Sequence, residues 1–160
     1  MRKWVIAACC IAALTAWTAP SFSMGSGSGA VYGGGGTGFD DYAIAVRLIK
    51  HEKYADAIPH LLTALSERPN NADVLNYLGY TERMTGNYPA SLDYYQRALA
   101  IKPEHKGAHE YLGELYLQMH DPASAQRELD TLASLCPDGC AERETLSKAI
   151  ATYGTAPASN

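Results

Sequence analysis

The stretch NYLGYTERMTGNYPASLDYYQRALAIKP, residues 76–103, decides the fold. Apolar residues recur at helical spacing on both sides of its centre, first at Leu75 and Leu78 and then at Leu92 and Tyr95. The letters TGNYP between the two runs are a turn signal, and their proline suits the first turn of a second helix, where a missing N–H costs least. The stretch therefore predicts two helices joined by a tight turn.

The same pattern recurs at a constant interval on both sides of this stretch. Equivalent positions carry similar residues: Pro69, Pro103 and Pro137; Tyr54 and Tyr88; Ala57, Ser91 and Ala125; Leu61, Tyr95 and Leu129; Ala64, Ala98 and Leu132. Three copies fit without a gap, at residues 38–71, 72–105 and 106–139. A repeat array needs a terminal element that covers its last interface, and residues 140–153 supply an amphipathic helix suited to that purpose.

The 34-residue helix-turn-helix pattern resembles the tetratricopeptide repeat. The resemblance implies an all-α fold, in which three repeats and a capping helix form a right-handed α-solenoid over residues 39–153. Gly79 and Gly113 are small where we expect the second helix of each repeat to approach the first. Asp41 and His109 depart from the pattern, because a bulky apolar residue is common at their position. His109 is expected to be partly exposed.

The N-terminal residues predict export. A short basic head and an apolar run, followed by small residues, make residues 1–23 a signal peptide, with cleavage expected after Ser23. A retained anchor or lipidation at Cys9 is the alternative. Residues 24–38 are almost entirely Gly and Ser and predict a flexible linker, while residues 154–160 are expected to be a disordered tail. Periplasmic or secreted bacterial localisation is the resulting prediction, with no stable membrane insertion after cleavage.

Composition argues against several classes of function. Cleavage after Ser23 would leave 11 basic and 17 acidic residues, a formal charge of −6, so a nucleic-acid partner is not expected. Gly33, Gly35 and Gly38 fit a dinucleotide fingerprint, but no strand precedes them, and the match follows from the glycine content. No group of side chains suggests a reacting centre, so we expect neither enzymatic activity nor a cofactor.

Cys136 and Cys140 flank a Pro-Asp-Gly turn between the last repeat and the capping helix. A turn of this kind brings two Cα atoms to the separation that a disulfide prefers, so we expect a disulfide that fixes the cap. Two alternatives remain open. One is a thiol-redox pair, although the spacing is C-x-x-x-C in a helical chain. The other is a zinc site completed by His105 and His109.

The resemblance also implies a binding surface, because the first helix of each repeat lines a concave groove in this family. The matching positions are Tyr42, Val46, Ile49, Asn76, Tyr80, Arg83, Glu110, Glu114 and Leu117. This groove would be apolar and aromatic at one end and acidic at the other. Tyrosines at these positions can also simply pack between repeats. The two glutamates either attract a cationic partner or are ordinary solvated side chains.

The prediction for function is an exported, non-enzymatic interaction module that binds a protein or peptide in this groove. One alternative is a self-assembling scaffold whose repeats stack on those of another copy, which would make the protein a homo-oligomer. The other is a zinc or thiol-redox protein that uses Cys136 and Cys140.

Overall fold

The computed structural model describes residues Gly38–Thr155, and these form seven helices. The helices are α1 (Gly38–Lys50), α2 (Tyr54–Glu67), α3 (Ala72–Met84), α4 (Tyr88–Ile101), α5 (Lys106–Gln118), α6 (Pro122–Leu135) and α7 (Ala141–Thr155). The predicted signal peptide, residues 24–37 of the linker and residues 156–160 of the tail lie outside the described residues. Helix α7 continues through Thr155, whereas the capping helix was expected to end at residue 153.

The helices pack as three consecutive pairs, α1 with α2, α3 with α4, and α5 with α6. Each pair also contacts the helix that follows it, and α5 lies against both α3 and α7. Helix α7 thus occupies the place that a first helix of a fourth repeat would take. The predicted fold class, three helix-turn-helix repeats with a capping helix, is confirmed.

The turn between the two helices of each repeat passes through the left-handed region at one equivalent position. Glu52, Gly86 and His120 occupy this position in the three repeats and have φ angles of 58°, 85° and 61°. Glycine reaches this conformation freely, while for a residue with a Cβ atom it costs about 1–2 kcal/mol. The middle repeat therefore has the least strained turn of the three.

Close packing explains the small residues on the first helices. A Cβ atom added to Gly79 would lie 2.5 Å from the ring of Tyr95, which is fully buried on α4. Gly113 makes the equivalent approach to a different helix, since a Cβ atom there would lie 2.5 Å from Leu146 on α7. The expectation that the second helix of the repeat approaches the first was therefore right at Gly79. It was wrong at Gly113, where the nearest neighbour is the capping helix α7.

The two polar departures from the repeat pattern are compensated by partners on the second helix of the same repeat. The carboxylate of Asp41 lies 2.7 Å from Nδ1 of His60, and His109 Nδ1 lies 2.6 Å from the carboxylate of Glu128. The two pairs occupy equivalent positions in the first and third repeats, with acid and imidazole exchanged between the helices. His109 is only 8 % exposed, so the expectation that it is partly exposed was wrong.

Candidate functional site

The nine predicted groove residues lie on α1, α3 and α5, and we call the surface that they define the inner face. Three of them, Asn76, Arg83 and Leu117, are buried. The other six are half-buried: Tyr42, Val46, Ile49, Tyr80, Glu110 and Glu114. The structure brings Tyr80, Glu114 and Leu117 together around the buried Arg83. The α1 residues Tyr42 and Ile49 pack instead against a separate apolar cluster.

Arg83 is the centre of the α3–α5 part of the inner face. Its Nη2 lies 2.7 Å from the carboxylate of Glu114, and the Arg83 side chain is only 6 % exposed. The guanidinium carbon also lies over two aromatic rings, 5.4 Å from the centroid of Tyr80 and 5.9 Å from that of Tyr111. The charge of this predicted groove residue is therefore balanced by a glutamate of the same chain.

A row of tyrosine rings connects the first helices. Tyr42 contacts Tyr77 edge-on with centroids 5.8 Å apart, and Tyr80 contacts Tyr111 at 5.0 Å. Sequence reasoning missed Tyr77 and Tyr111, although they are equivalent in consecutive repeats and each follows a predicted groove position. Burial raises the pKa of Tyr42 and of Tyr80 to about 12, so both hydroxyls are neutral hydrogen-bonding groups at physiological pH.

Glu110 is an acid without a balancing partner. Burial, followed by the charges of Glu114 and Glu142, raises its pKa to about 7, and the opposite charge of Arg83 offsets this only in part. Within residues 38–155, Glu110 takes part in no hydrogen bond and no ion pair. Its carboxylate thus titrates near neutral pH, which an ordinary solvated glutamate does not.

Three buried polar atoms near this region have no hydrogen-bond partner within the described residues: Asn76 Oδ1, Arg83 Nε and the Tyr95 hydroxyl. A cavity of about 330 Å³ opens between α3, α5 and α7, lined by Arg83, Glu114, Leu117, Gln118, Ala149 and Tyr153. Buried polar groups are almost always satisfied in folded proteins, so the unpartnered Nε of Arg83, the one of the three residues that lines this cavity, indicates a place where a ligand or water completes the bonding.

The two cysteines lie where α6 meets α7. Their sulfur atoms are at disulfide-bonding distance and their Cα atoms are 6.0 Å apart, within the range that a disulfide requires. The zinc alternative finds no support in the geometry. Both ring nitrogens of His109 are engaged, with Glu128 and with the Pro103 carbonyl, and no group of three potential ligands converges within residues 38–155.

Hydrogen bonds to Glu128 and Pro103 also set the titration of His109. Burial by itself would lower the pKa of this imidazole, but the hydrogen bond to Glu128, the bond to the Pro103 carbonyl and the carboxylate charge outweigh it and raise the pKa. Two further histidines have polar partners, since His60 contacts Asp41 and His120 contacts the Tyr153 hydroxyl. None of the helices that the structure describes is both long and apolar enough to cross a bilayer.

Solved structures that share this fold include those of three proteins that are distant in sequence. The Yersinia enterocolitica type III secretion chaperone SycD, in complex with a peptide of the translocator YopD, is 18 % identical, with a TM-score of 0.63 over 72 % of this chain and 87 % of that one. The first TPR of Spaghetti (RPAP3), bound to an HSP90 peptide, is 13 % identical, with a TM-score of 0.65 over 74 % and 94 %. MamA from Desulfovibrio magneticus RS-1 is 21 % identical, with a TM-score of 0.60 over 62 % and 56 %.

Sequence comparison identifies the family to which the chain belongs. The chain is 32 % identical over 63 residues to anaphase-promoting complex subunit 6 of Dictyostelium discoideum, a match that covers 39 % of this chain. It spans only 7 % of the length of that curated relative. Two tetratricopeptide repeat models match overlapping segments, residues 42–106 and residues 82–150. Together these matches span residues 42–150, and the chain belongs to the tetratricopeptide repeat family.

Proposed function

We propose that this protein is a non-enzymatic interaction module that binds an extended segment of another protein on its inner face. The observation that carries the proposal is the set of half-buried tyrosines on the first helices. Tyr42 contacts Tyr77 and Tyr80 contacts Tyr111, so that each pair joins two consecutive repeats, and all four residues remain partly accessible. Packing between repeats accounts for the buried part of each ring but not for the exposed part.

Tyrosine is suited to this role on physical grounds. It offers a large, rigid contact area with only two side-chain torsions to immobilise, and its hydroxyl remains a hydrogen-bonding group. Arg83, held between Tyr80 and Tyr111 by Glu114, fixes the positions of two of these rings before any partner arrives. A surface ordered in advance loses less entropy on binding. SycD and the first TPR of RPAP3, which share this fold, are each bound to a peptide, and this supports a peptide partner here.

We further propose that the module acts after export from a bacterial cell. Support comes from the signal-like residues 1–23 and from the cysteine pair at disulfide-bonding distance, since disulfides persist in oxidising compartments. Intact mass of the protein recovered from its natural host tests both points. Export predicts an N-terminus after Ser23 and a mass that rises by about 2 Da on reduction. An uncleaved chain with free thiols would contradict this part of the proposal.

Selection from a random displayed peptide library on the purified protein tests binding at the inner face. Calorimetry of a selected peptide then compares the native protein with Tyr80→Ala and with the matched control Tyr88→Ala, which removes a tyrosine from the second helix α4. A central aromatic contact is worth about 2 kcal/mol or more, so we expect Tyr80→Ala to weaken binding by at least about tenfold. The control should change affinity by no more than about twofold.

Two results would overturn the proposal. One is that no peptide is selected, and the other is that both variants bind as well as the native protein does. Light scattering on the same samples separates self-assembly from partner binding. A mass that rises with concentration and falls in Tyr80→Ala would assign the inner face to a second copy of this chain.

A further inference from the structure

The space between α3, α5 and α7 that Arg83 lines combines charged and apolar groups, and we call it the Arg83 cavity. Arg83 and Glu114 form its charged lining, and the other lining residues are Leu117, Gln118, Ala149 and Tyr153. Its volume of about 330 Å³ is several times that of one water molecule and lies at the lower end of the range of ligand pockets. The Arg83 cavity therefore has room for one side chain of a bound segment.

Arg83 presents an unused donor at this cavity. Its side chain is only 6 % exposed, and its Nη2 lies 2.7 Å from Oε2 of Glu114. The N–H bonds of Nε and Nη2 are parallel along one edge of the guanidinium, and such an edge can hold two acceptors. Glu114 fills the Nη2 half of this edge, whereas Nε has no hydrogen-bond partner within residues 38–155. A second acceptor is therefore missing next to the Glu114 carboxylate.

The hydroxyl of Tyr95 does not supply this acceptor. Burial raises the pKa of Tyr95 and the charge of Arg83 opposes this rise, so the two groups are within electrostatic reach of each other. Among the helices that the structure describes, however, neither the Tyr95 hydroxyl nor Arg83 Nε completes a hydrogen bond. A buried donor without an acceptor is costly, so a ligand group or water is expected to bind Arg83 Nε.

The charges of the cavity balance each other. Among its described lining residues, Arg83 and Glu114 are the charged ones, and they are paired. A charged side chain of a partner would lose its hydration here without finding a free counter-charge in this lining. An apolar side chain would leave Nε without an acceptor. The cavity therefore favours a neutral occupant that brings its own acceptor.

A carboxamide group matches the free part of this edge. Glu114 is engaged with Arg83, and the part of the chain that the structure describes gives it no other hydrogen bond or ion pair. A group that accepts from Arg83 Nε therefore lies beside a carboxylate that can still accept. The oxygen and nitrogen of a carboxamide lie side by side in one plane, so this group can accept from Nε and donate to Glu114 at the same time. A hydroxyl has one oxygen atom for both bonds.

The rest of the cavity suits the alkyl stem of such a side chain. Leu117 on α5 and Ala149 on α7 contribute apolar lining, and Tyr153 adds an aromatic ring. Tyr153 is held by His120, because His120 Nδ1 lies 3.3 Å from the Tyr153 hydroxyl and the two ring centroids are 6.4 Å apart. This contact joins the end of α7 to the turn after α5. The walls of the cavity are thus held together before a partner binds.

We propose that the Arg83 cavity is a specificity pocket for one glutamine or asparagine side chain of the partner segment. The carboxamide oxygen accepts from Arg83 Nε, the carboxamide nitrogen donates to Glu114, and the alkyl stem packs against Leu117 and Ala149. This inference rests on the proposed function and specifies the partner, whose bound segment carries a carboxamide opposite the junction of α5 and α7.

The Arg83 Nε–H signal in nitrogen-15 NMR spectra of the full protein tests the pocket directly, because this N–H gains an acceptor on binding. The probes are the Nα-acetyl methylamides of glutamine, glutamate, norleucine and homoserine, which supply a carboxamide, a carboxylate, an alkyl chain and a hydroxyl. Molecules of this size bind in about the millimolar range or more weakly, so the titrations extend beyond that range.

At pH 7 we expect the glutamine probe to shift the Arg83 Nε–H signal. It should bind at least about tenfold more tightly than the glutamate and norleucine probes and at least about threefold more tightly than the homoserine probe. Another probe that binds as tightly as glutamine would overturn the assignment to a carboxamide. An Arg83 signal that responds to none of the four probes would leave the cavity to water and overturn the proposal.

A charge variant separates recognition from structural support. Glu114→Gln leaves Arg83 without its counter-charge, so the lining of the cavity becomes positive. The ratio of affinities for the two probes should then shift from glutamine towards glutamate by at least about tenfold. Glu104→Gln, which removes an exposed carboxylate in the loop before α5, should change this ratio by no more than about twofold. An unchanged ratio in Glu114→Gln would contradict the pocket.

A cavity-filling variant tests the pocket without removing either charge. Ala149→Phe places a ring in the cavity from a half-buried position on α7 and should abolish the response to the glutamine probe. Ala151→Phe is the matched control, since Ala151 is exposed on the same helix, and it should bind the probe within about twofold of the native protein. Circular dichroism verifies that both variants fold. A full response in folded Ala149→Phe would contradict the proposal.

The outcomes also separate this inference from the proposed function. Selected peptides that depend on Tyr80 but bind Ala149→Phe as tightly as the native protein would leave the proposed function standing and overturn the pocket. Failure to select any inner-face peptide would overturn the proposed function, whereas the glutamine probe reports on the pocket by itself.

Discussion

Replacement of Gly79 by alanine tests the packing of the middle repeat. The added methyl group would lie 2.5, 2.6 and 2.9 Å from Cε1, Cδ1 and Cζ of Tyr95. Carbon atoms in contact are ordinarily about 3.5–4.0 Å apart, so the ring has to move by about 1 Å or more. Tyr95 is fully buried, and Ser91 Oγ donates to the Gly79 carbonyl at 2.7 Å, so the two helices have little freedom to separate.

The expected change in the free energy of unfolding is the difference between two opposing effects. Overpacking in a well-packed core costs about 1–3 kcal/mol. Alanine gains about 1 kcal/mol over glycine in a helix interior. Because the ring of Tyr95 is rigid, the cost of overpacking should lie near the upper end of this range. We therefore expect a net loss of about 1–2 kcal/mol in the free energy of unfolding. For a domain of this size, that corresponds to a melting temperature lower by about 4–8 °C.

Gly154→Ala is the matched control, because Gly154 is also helical and a Cβ atom added there meets nothing within 4 Å. It should leave stability unchanged or raise it by up to about 1 kcal/mol. Urea denaturation followed by far-UV circular dichroism measures both variants. A Gly79→Ala protein as stable as the native one, or stabilised to the same extent as Gly154→Ala, would refute the packing argument.

Three further predictions concern the turn, the buried pair and the cysteines. Glu52→Gly relieves the left-handed turn and should raise the free energy of unfolding by up to about 1 kcal/mol in thermal denaturation, once glycine's larger unfolded-state entropy is deducted. His109→Leu alone leaves Glu128 without its partner and should lower the free energy of unfolding by about 1–3 kcal/mol, as measured by urea denaturation. The double variant that also carries Glu128→Tyr should regain most of this loss. The pKa of His109 is raised above its ordinary value of 6.5, so the stability contributed by its pair is fully present below that value and is lost as the pH rises through the folded pKa. The native protein should therefore lose stability relative to the double variant as the pH rises above 6.5. Reduction of the Cys136–Cys140 bond opens a five-residue loop and should lower the free energy of unfolding by about 2 kcal/mol, as measured by calorimetry. In a variant with serine at both cysteine positions, the reductant should have no such effect.

The repeat period predicted the helices because the relevant information is local. Helix spacing, turn residues and the repeat interval can all be read along the chain without knowledge of how the helices pack. The structure places helix starts at Tyr88 and Pro122, as the turn signals before them indicate. Asp121, directly before the proline that begins α6, caps this helix, since its carboxylate accepts a hydrogen bond from the Ser124 backbone N–H at 3.0 Å.

The site was harder to predict because its chemistry depends on contacts between repeats. Nothing local in the sequence shows that Arg83 is paired with Glu114, since the pair depends on how α3 lies against α5. The titration of Glu110 depends in addition on Glu142, which belongs to the capping helix. The partner of His109 was predictable in principle, because an acid and a histidine occur at the same two positions of the first and third repeats, in exchanged order.

The central claim is that the partner lies on the inner face, and site-specific photo-cross-linking in the producing cells tests it most directly. A photo-reactive phenylalanine analogue replaces Val46 on the inner face or, as the control, Leu62, which is 44 % exposed on α2. The account predicts a light-dependent adduct of discrete mass from position 46 that disappears when Tyr80→Ala is added, and no such adduct from position 62. An adduct from position 62 alone, or one from position 46 that persists in Tyr80→Ala, would contradict it.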